Sequence, residues 1–204
     1  CFNSSLLKYG GDVAVGAMTI LTSVMQFAML PLMGMTQGAQ PIVSYNYGAK
    51  NAERVKQAFK VLLISSVVYA TVLWAACELF PQAFARIFSN DEALIDYASR
   101  ALRIYMAVSC LFSVQVACQQ TFIALGNAKH SLFLACLRKI FLLVPLIYLM
   151  PAIFTDNQAM AVFMAEPVAD LLAVITTSIL FGTVFGRTLR GMREEAANVR
   201  QSGE

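Results

Sequence analysis

The chain has 204 residues, of which 58% are hydrophobic and 13% are charged. Typical soluble domains have about 45–50% apolar and about 25% charged residues, so this composition argues against a soluble protein. The net charge of +3 gives no reason to expect nucleic-acid binding, because the basic residues stand beside apolar segments and do not line one helix face. We therefore expect an all-α, polytopic transmembrane helix bundle in a lipid bilayer.

Five apolar segments are long enough to cross a membrane, which takes about 20 mostly apolar residues. The polar faces at helical period that a soluble helical domain needs are missing from them. The predicted crossings cover residues 13–38, 60–79, 101–124, 131–153 and 158–185. The predicted helices that contain them cover residues 13–46, 51–79, 93–124, 127–153 and 158–186, and residues 187–204 form a polar tail.

The connections between these helices are also predicted. Residues 82–103 have the pattern of an amphipathic stretch that lies in the membrane interface before the third crossing. Gly126 and Asn127 predict a tight turn, and residues 155–157 predict a turn on the opposite side. Because the first residue is Cys1 and no signal peptide follows it, we expect the C-terminal piece of a longer protein.

Lys and Arg residues are unevenly divided between the two predicted sides of the membrane. Short cytoplasmic loops of membrane proteins carry an excess of these residues. Eleven fall on one side and four on the other, which places the tail at residues 187–204 in the cytoplasm. The eleven are Lys50, Arg54, Lys56, Lys60, Lys129, Arg138, Lys139, Arg187, Arg190, Arg193 and Arg200; the four are Lys8, Arg86, Arg100 and Arg103.

Nothing in the sequence predicts an enzyme, a metal site or a bound cofactor. The odd number of five cysteines argues against a disulfide framework, and their spacing does not suit a metal. His130 is the only histidine and falls in a predicted loop. We find no nucleophile elbow and no phosphate-binding loop.

Glu166 and Asp170 are the leading candidates for a functional site. They are four residues apart, hence on one helix face, and both are placed near the middle of the membrane. A buried carboxyl group beside Pro167 could bind and release a coupling ion or contact a substrate. Alternatively, Arg138 and Lys139 on the preceding helix are within reach of Asp170 and could form a structural or gating ion pair with it.

Gln115 and Gln119 share one face of the third predicted crossing. They could bind a substrate or solvate a cavity. Ordinary hydrogen bonds between helices, worth about 0.6 kcal/mol each, explain them equally well.

Several motifs together resemble the multidrug and toxic compound extrusion (MATE) family, in its MepA-type bacterial subgroup. The leading motif resembles the signature that ends the family's eighth helix, and the others follow in order and at the right spacing over residues 5–186. The leading motif holds Gln37, Gly38, Ala39, Gln40, Pro41, Ile42, Val43, Ser44, Tyr45, Asn46, Tyr47, Gly48, Ala49 and Lys50. The others are residues 9–12, residues 119–126, Arg138 with Lys139, and residues 165–170.

The resemblance implies helices eight to twelve of a twelve-helix transporter with two six-helix lobes. Such a protein would lie in the bacterial inner membrane with a cytoplasmic C-terminus. It would export small organic, often cationic, compounds in exchange for protons or sodium ions, and it would need the N-terminal lobe as its partner. Some members carry a carboxylate of the cation site on the tenth helix. Residues 104–128 here have none, so that sodium site cannot be carried over.

We interpret the motif around Pro41 as a structural and gating element at the cytoplasmic mouth. Asn46 and Gly48 suit the left-handed backbone of a helix C-cap. Gln37, Gln40 and Asn46 can bond carbonyls that Pro41 leaves free. Tyr45 belongs to the same motif.

Two alternatives to drug export remain open from the sequence. A flippase for lipid-linked or polysaccharide substrates shares the two-lobed architecture, and a basic central cavity would favour it. The acidic Glu166 and Asp170 favour the exporter instead. The other alternative is an inactive membrane fragment or scaffold, which would gain little from burying carboxylates.

Overall fold

The structure is a computed structural model that describes residues 2–154 and 157–202. The described residues form eight α-helices and one π-helical segment and contain no β-strand, which confirms the predicted all-α class. The elements are α1 (Phe2–Gly48), α2 (Ala52–Leu79), α3 (Pro81–Arg86), α4 (Glu92–Met106), α5 (Ser109–Ala124), α6 (Ala128–Cys136), the π-helical segment (Leu137–Leu143), α7 (Val144–Ile153) and α8 (Gln158–Ser202).

Four spans in the described residues are long and apolar enough to cross a membrane. They are α1, α2, the continuous stretch Ala128–Ile153 and α8. The pair α4 and α5, bent by 49° between its two helices, makes a fifth if it is one span. The prediction of about five membrane-spanning helices is confirmed.

Helix α1 starts earlier than the predicted residue 13 and includes residues 9–12. The helix already runs from Phe2 and is broken at Gly11, where φ is 64° and ψ is −161°. Essentially only glycine adopts this combination, so the break needs a residue without a Cβ atom. Gly11 therefore redirects the chain between two helical stretches without any intervening loop.

We expect Gly11→Ala to lower the free energy of unfolding by about 1–3 kcal/mol, because alanine is strained in this backbone conformation. The measurement is denaturation of the purified protein in detergent, followed by circular dichroism. Gly34→Ala is the matched control on the same helix, since a Cβ atom there meets no other atom within 4 Å. Equal stability of Gly11→Ala and Gly34→Ala would contradict the conclusion that the break at Gly11 needs a residue without a Cβ atom.

The prediction of a single helix over residues 93–124 is wrong. Helix α4 ends at Met106 and α5 starts at Ser109. No Pro or Gly stands at this bend. Its cause is tertiary, because the apolar face of α4, with buried residues at spacings of three and four, packs against α1 and α8. The structure also divides the predicted amphipathic stretch 82–103 between α3 and α4.

The polar tail is helical, since α8 continues beyond residue 186 to Ser202. Two ion pairs hold it against the turn between α1 and α2. The Nζ atom of Lys50 lies 2.5 Å from the Oε2 atom of Glu195, and the Nη2 atom of Arg193 lies 2.5 Å from the Oε1 atom of Glu53. Hydrogen bonding to Glu195 raises the pKa of Lys50. Residues 155–156 of the predicted turn and the end of the tail at 203–204 lie outside the described residues.

An aromatic cluster joins three helices near the end of the bundle that is predicted to be cytoplasmic. It consists of Phe59 on α2, Phe122 on α5, and Phe181 and Phe185 on α8. The ring centroids of Phe59 and Phe181 are 4.6 Å apart, and those of Phe122 and Phe181 are 5.0 Å apart. These contacts set the register of α2, α5 and α8 relative to one another.

Candidate functional site

Arg138 lies in the π-helical segment Leu137–Leu143, in the middle of the span from Ala128 to Ile153. Pro145 follows this segment and has no N–H group to donate to the carbonyl of Phe141, four residues earlier. A wider helical turn just before a proline accommodates this missing bond, and π-helical turns are frequent at functional sites. The proline thus helps to explain the local geometry that presents Arg138.

Arg138 bridges the two carboxylates of α8. Its Nη2 atom lies 2.8 Å from the Oε1 atom of Glu166, and its Nε atom donates to the Oδ1 atom of Asp170. The exposed fractions are 8% for Arg138, 4% for Glu166 and 3% for Asp170. The structure therefore brings together three charged groups that the sequence singled out, within the interior of the bundle.

Lys139 has a different partner from the one that was expected. Its Nζ atom lies 3.6 Å from the Oε1 atom of Glu166, and no ion pair with Asp170 is found among the described residues. The side chain of Lys139 is 58% exposed, so this contact is weaker than the buried ones. Lys139 faces Glu166 and not Asp170 for a geometric reason. It follows Arg138 directly in the sequence, so its side chain leaves the helix in another direction.

Two aromatic residues complete the surroundings of Arg138. The ring centroid of Phe112 on α5 is 4.3 Å from the guanidinium carbon, a distance at which a ring face attracts a cation. Tyr105 on α4 is 7% exposed and lies near enough to interact with the charges of Glu166, Asp170 and Arg138. Sequence reasoning missed both, because nothing in the pattern of α4 or α5 points to a partner on a later helix.

The buried part of this cluster holds one positive and two negative charges when all groups are ionised. The second positive charge is the ammonium group of Lys139, which lies 3.6 Å from Glu166 and is 58% exposed. An exposed partner offsets a buried charge less well than a buried partner does. Glu166 is therefore the carboxylate at which a proton or a cation can replace the present partner.

Pro167 lies between the two carboxylates on α8. It cannot donate to the carbonyl of Phe163, four residues earlier. The structure nevertheless keeps α8 as one helix across this position. Glu166 and Asp170 remain one helical turn apart and face the same neighbour.

The two glutamines lie on α5 but do not touch the charged cluster. Gln119 donates from Nε2 to the carbonyl of Ser131 on α6, at 3.3 Å. Gln115 is 1% exposed, and its Oε1 atom has no hydrogen-bond partner among the described residues. Gln119 thus forms a hydrogen bond between α5 and α6, whereas the Oε1 atom of Gln115 is left without a hydrogen-bond partner among the described residues.

The motif around Pro41 forms the last turns of α1 and was expected to be capped at Asn46 or Gly48. The left-handed residue is Lys50 instead, with φ 55°. The N–H of Asn51 bonds the carbonyl of Asn46 at 2.9 Å, and the N–H of Lys50 bonds that of Tyr47 at 3.1 Å, which is a Schellman cap. Helix α1 continues to Gly48, so the left-handed residue follows two positions later, at Lys50.

The remaining side chains of this motif have varied surroundings. Asn46 donates to the carbonyl of Ile42, next to Pro41, at 2.8 Å. Gln37, Pro41 and Tyr45 are exposed and Gln40 is half-buried. Ser44, a member of the motif for which the sequence predicted no separate role, donates to the carbonyl of Ala124 at the end of α5. The structure therefore anchors this motif to α5, far from the charged cluster.

Among the residues that the structure describes, no group of His, Cys, Asp and Glu side chains could hold a metal ion. Apart from Cys1, which is not described, the cysteines are free.

Comparison with known proteins agrees with this architecture. The sequence model of the MatE family matches residues 2–149, most of the chain. The chain belongs to the MatE family. The resemblance that the sequence motifs indicated is thereby confirmed, and the chain is part of a multi-pass membrane transporter family.

The similar proteins are considerably longer than this chain. The multidrug export protein MepA of Staphylococcus aureus (strain NCTC 8325 / PS 47) is 25% identical over 175 residues, which cover 85% of this chain and 38% of MepA. A ligand-bound structure of the MATE multidrug transporter DinF-BH is 34% identical, with a TM-score of 0.75, and the match covers 89% of this chain and 40% of DinF-BH. The crystal structure of MATE in complex with MaL6 is 19% identical, with a TM-score of 0.85, over 92% of this chain and 42% of that one. The chain thus spans about two fifths of the length of its relatives.

Proposed function

We propose that this chain forms helices eight to twelve of a secondary active antiporter that exports organic, often cationic, compounds in exchange for protons or sodium ions. Membership of the MatE family and the similarity to MepA, which is named a multidrug export protein, support this proposal. The partner would be an N-terminal lobe of the same protein.

The observation that carries the proposal is the buried cluster of Arg138, Glu166 and Asp170. Its two buried carboxylates face one buried guanidinium, and the second positive charge, on Lys139, is partly exposed, so Glu166 supplies a place where a coupling ion can replace that partner. A membrane scaffold without transport would gain nothing from this costly arrangement. The carboxylates are buried, so in this conformation they act on the ion and on the packing of helices and do not contact an organic substrate.

Glu166 is the better candidate for the group that exchanges its charge. Among the described residues Asp170 pairs with Arg138 alone, whereas Glu166 also faces the partly exposed Lys139. Protonation of Glu166 would weaken its contact with Arg138 and leave Arg138 and Asp170 as a balanced pair. The link between α8 and the π-helical segment would then depend on whether the ion is bound.

The orientation in the membrane is part of the same proposal. Residues 187–204 and the turn at Lys50 would lie in the cytoplasm of a bacterial cell, with the chain in the inner membrane. The excess of Lys and Arg on this side supports that orientation. The end of α1 at Gly48, anchored to α5 through Ser44, would act as a gating element there.

The test is efflux of a cationic dye from vesicles that contain the whole protein. A proton gradient and a sodium gradient are imposed separately, and vesicles without protein serve as the control. We expect gradient-driven dye movement with one of the two ions. Movement of a lipid-linked sugar but of no dye, on either gradient, would overturn the exporter in favour of the flippase.

A further inference from the structure

Seven buried side-chain polar atoms lack a hydrogen-bond partner among the described residues. Three of them belong to Ser66 on α2, Gln115 on α5 and Thr177 on α8, whose exposed fractions are 0%, 1% and 0%. Buried hydroxyl and amide oxygens are normally paired, because burying one without a partner destabilises the folded protein. Each of these oxygens therefore requires an explanation.

Many other Ser and Thr hydroxyl groups of this bundle bond their own helices. Thr121 donates to the carbonyl of Ala117 at 2.8 Å, and Thr176 donates to that of Leu172 at 2.9 Å. Such bonds to a carbonyl three or four residues earlier are the usual solution for Ser and Thr in membrane helices. Ser66 and Thr177 do not use it, so their hydroxyl groups are directed elsewhere.

The aromatic cluster places two of the three side chains at the same level. Ser66 follows Phe59 by seven residues on α2, and Gln115 precedes Phe122 by seven residues on α5. Seven residues are about two helical turns, or about 10.5 Å, and return to the same helix face. Since α2 and α5 run in opposite directions, both side chains lie about two turns from the cluster on the same side of it.

Thr177 on α8 lies on the same side of the cluster, one turn from Phe181 and about two turns from Phe185. It precedes Phe181 by four residues and Phe185 by eight, so it shares the face that carries both rings. Phe181 contacts Phe122, and both Phe181 and Phe185 contact Phe59. The unpaired oxygens of Ser66, Gln115 and Thr177 therefore lie on the same three helix faces as the rings of the aromatic cluster. They are one to two helical turns away from those rings, toward the middle of the bundle.

We infer that Ser66, Gln115 and Thr177 form a buried water-binding site between α2, α5 and α8. A buried water molecule makes about three hydrogen bonds to groups that have no other partner. A water molecule can donate to the Oε1 atom of Gln115 and accept from the hydroxyl groups of Ser66 and Thr177. It then links three helices that direct side-chain hydrogen bonds do not link at this level.

The chemistry of the site favours water over a metal cation. All three groups are neutral, and Na⁺ in a protein interior would add a charge that no carboxylate of the site offsets. The nearest carboxylate along α8 is Asp170, seven residues or about 10.5 Å away, and it is already paired with Arg138. The water site is thus separate from the charged cluster and does not depend on the proposed transport activity.

The experiment compares the thermal stability of Thr177→Val with that of the wild type, using the whole protein in detergent. Valine keeps the shape and removes the hydroxyl group. If water is bound, its loss lowers Tm by a few degrees, and Ser66→Ala lowers Tm similarly. The double variant should fall by less than the sum of the two, because both remove the same water. Thr176→Val is the matched control, with its hydroxyl group bonded to its own helix, and should leave Tm unchanged.

Three results would overturn the inference. The first is a Tm that stays the same or rises in Thr177→Val, which is expected if the hydroxyl group is merely unsatisfied. The second is a structure of the whole protein, at a resolution that shows ordered water, with no density between these side chains. The third is a rise of Tm with sodium chloride but not with choline chloride that Thr177→Val abolishes, since the occupant would then be a sodium ion.

Discussion

Replacing Arg138 by methionine is expected to lower the free energy of unfolding of the whole protein by about 3–5 kcal/mol. The substitution keeps a long apolar side chain but leaves Glu166 and Asp170 facing each other, one helical turn apart, without a buried positive charge. The loss of the Phe112 contact with the guanidinium adds to the effect. Denaturation in detergent, followed by circular dichroism, measures the change.

Two further variants distinguish charge from packing. Lys139→Met removes the adjacent positive charge, but the side chain is 58% exposed, so we expect a change below about 1 kcal/mol. The triple variant Arg138→Met with Glu166→Gln and Asp170→Asn removes all three charges and should recover much of the lost stability. A triple variant as unstable as Arg138→Met alone would show that unbalanced charge is not the cause.

Glu166→Gln is expected to reduce gradient-driven dye efflux to the level of vesicles without protein, while the protein remains folded. Glutamine keeps the shape and can still accept a hydrogen bond from Arg138, but it removes one of the two buried negative charges. Arg138 and Asp170 are then balanced permanently, as they would be with the coupling ion always bound. The measurement combines efflux on a proton or a sodium gradient with the Tm of the same preparation.

The control for this prediction is Asp96→Asn on α4. Asp96 forms an exposed ion pair with Arg100 at 2.9 Å, so its neutralisation should leave efflux unchanged. Asp170→Asn tests the assignment of Glu166: we expect it to lower both Tm and efflux, because it removes the charge that pairs directly with Arg138. Normal efflux in both Glu166→Gln and Asp170→Asn would show that these carboxylates are structural.

Much of the candidate site was predictable from the sequence. Charges within apolar segments are rare because they are expensive, so Glu166, Asp170 and Arg138 stood out without any structure. The spacing of four residues placed Glu166 and Asp170 on one helix face. The position of Arg138 along the preceding segment placed it at a membrane depth within reach of Asp170. The positive φ of 76° at Gly126 likewise confirms the turn that Gly126 and Asn127 predicted.

Other features depended on contacts that no local pattern encodes. Lys50 adopts a left-handed backbone conformation while its ammonium group pairs with Glu195, at the far end of the chain. The bend after Met106 occurs without Pro or Gly, and it separates α4, which packs mainly on α1 and α3, from α5, which packs mainly on α2 and α8. The stacking of Phe112 on Arg138 joins residues 26 positions apart.

The sequence by itself determined that this is an all-α membrane protein with about five crossings, because apolar length and the placement of charge are properties of single segments. It also determined the family, because ordered motifs persist along the chain. Only the tertiary structure decided which carboxylate Lys139 faces, where α1 is capped and which oxygens remain unpaired at Ser66, Gln115 and Thr177. These depend on the register and rotation of helices against one another, and side-chain packing between distant segments sets both.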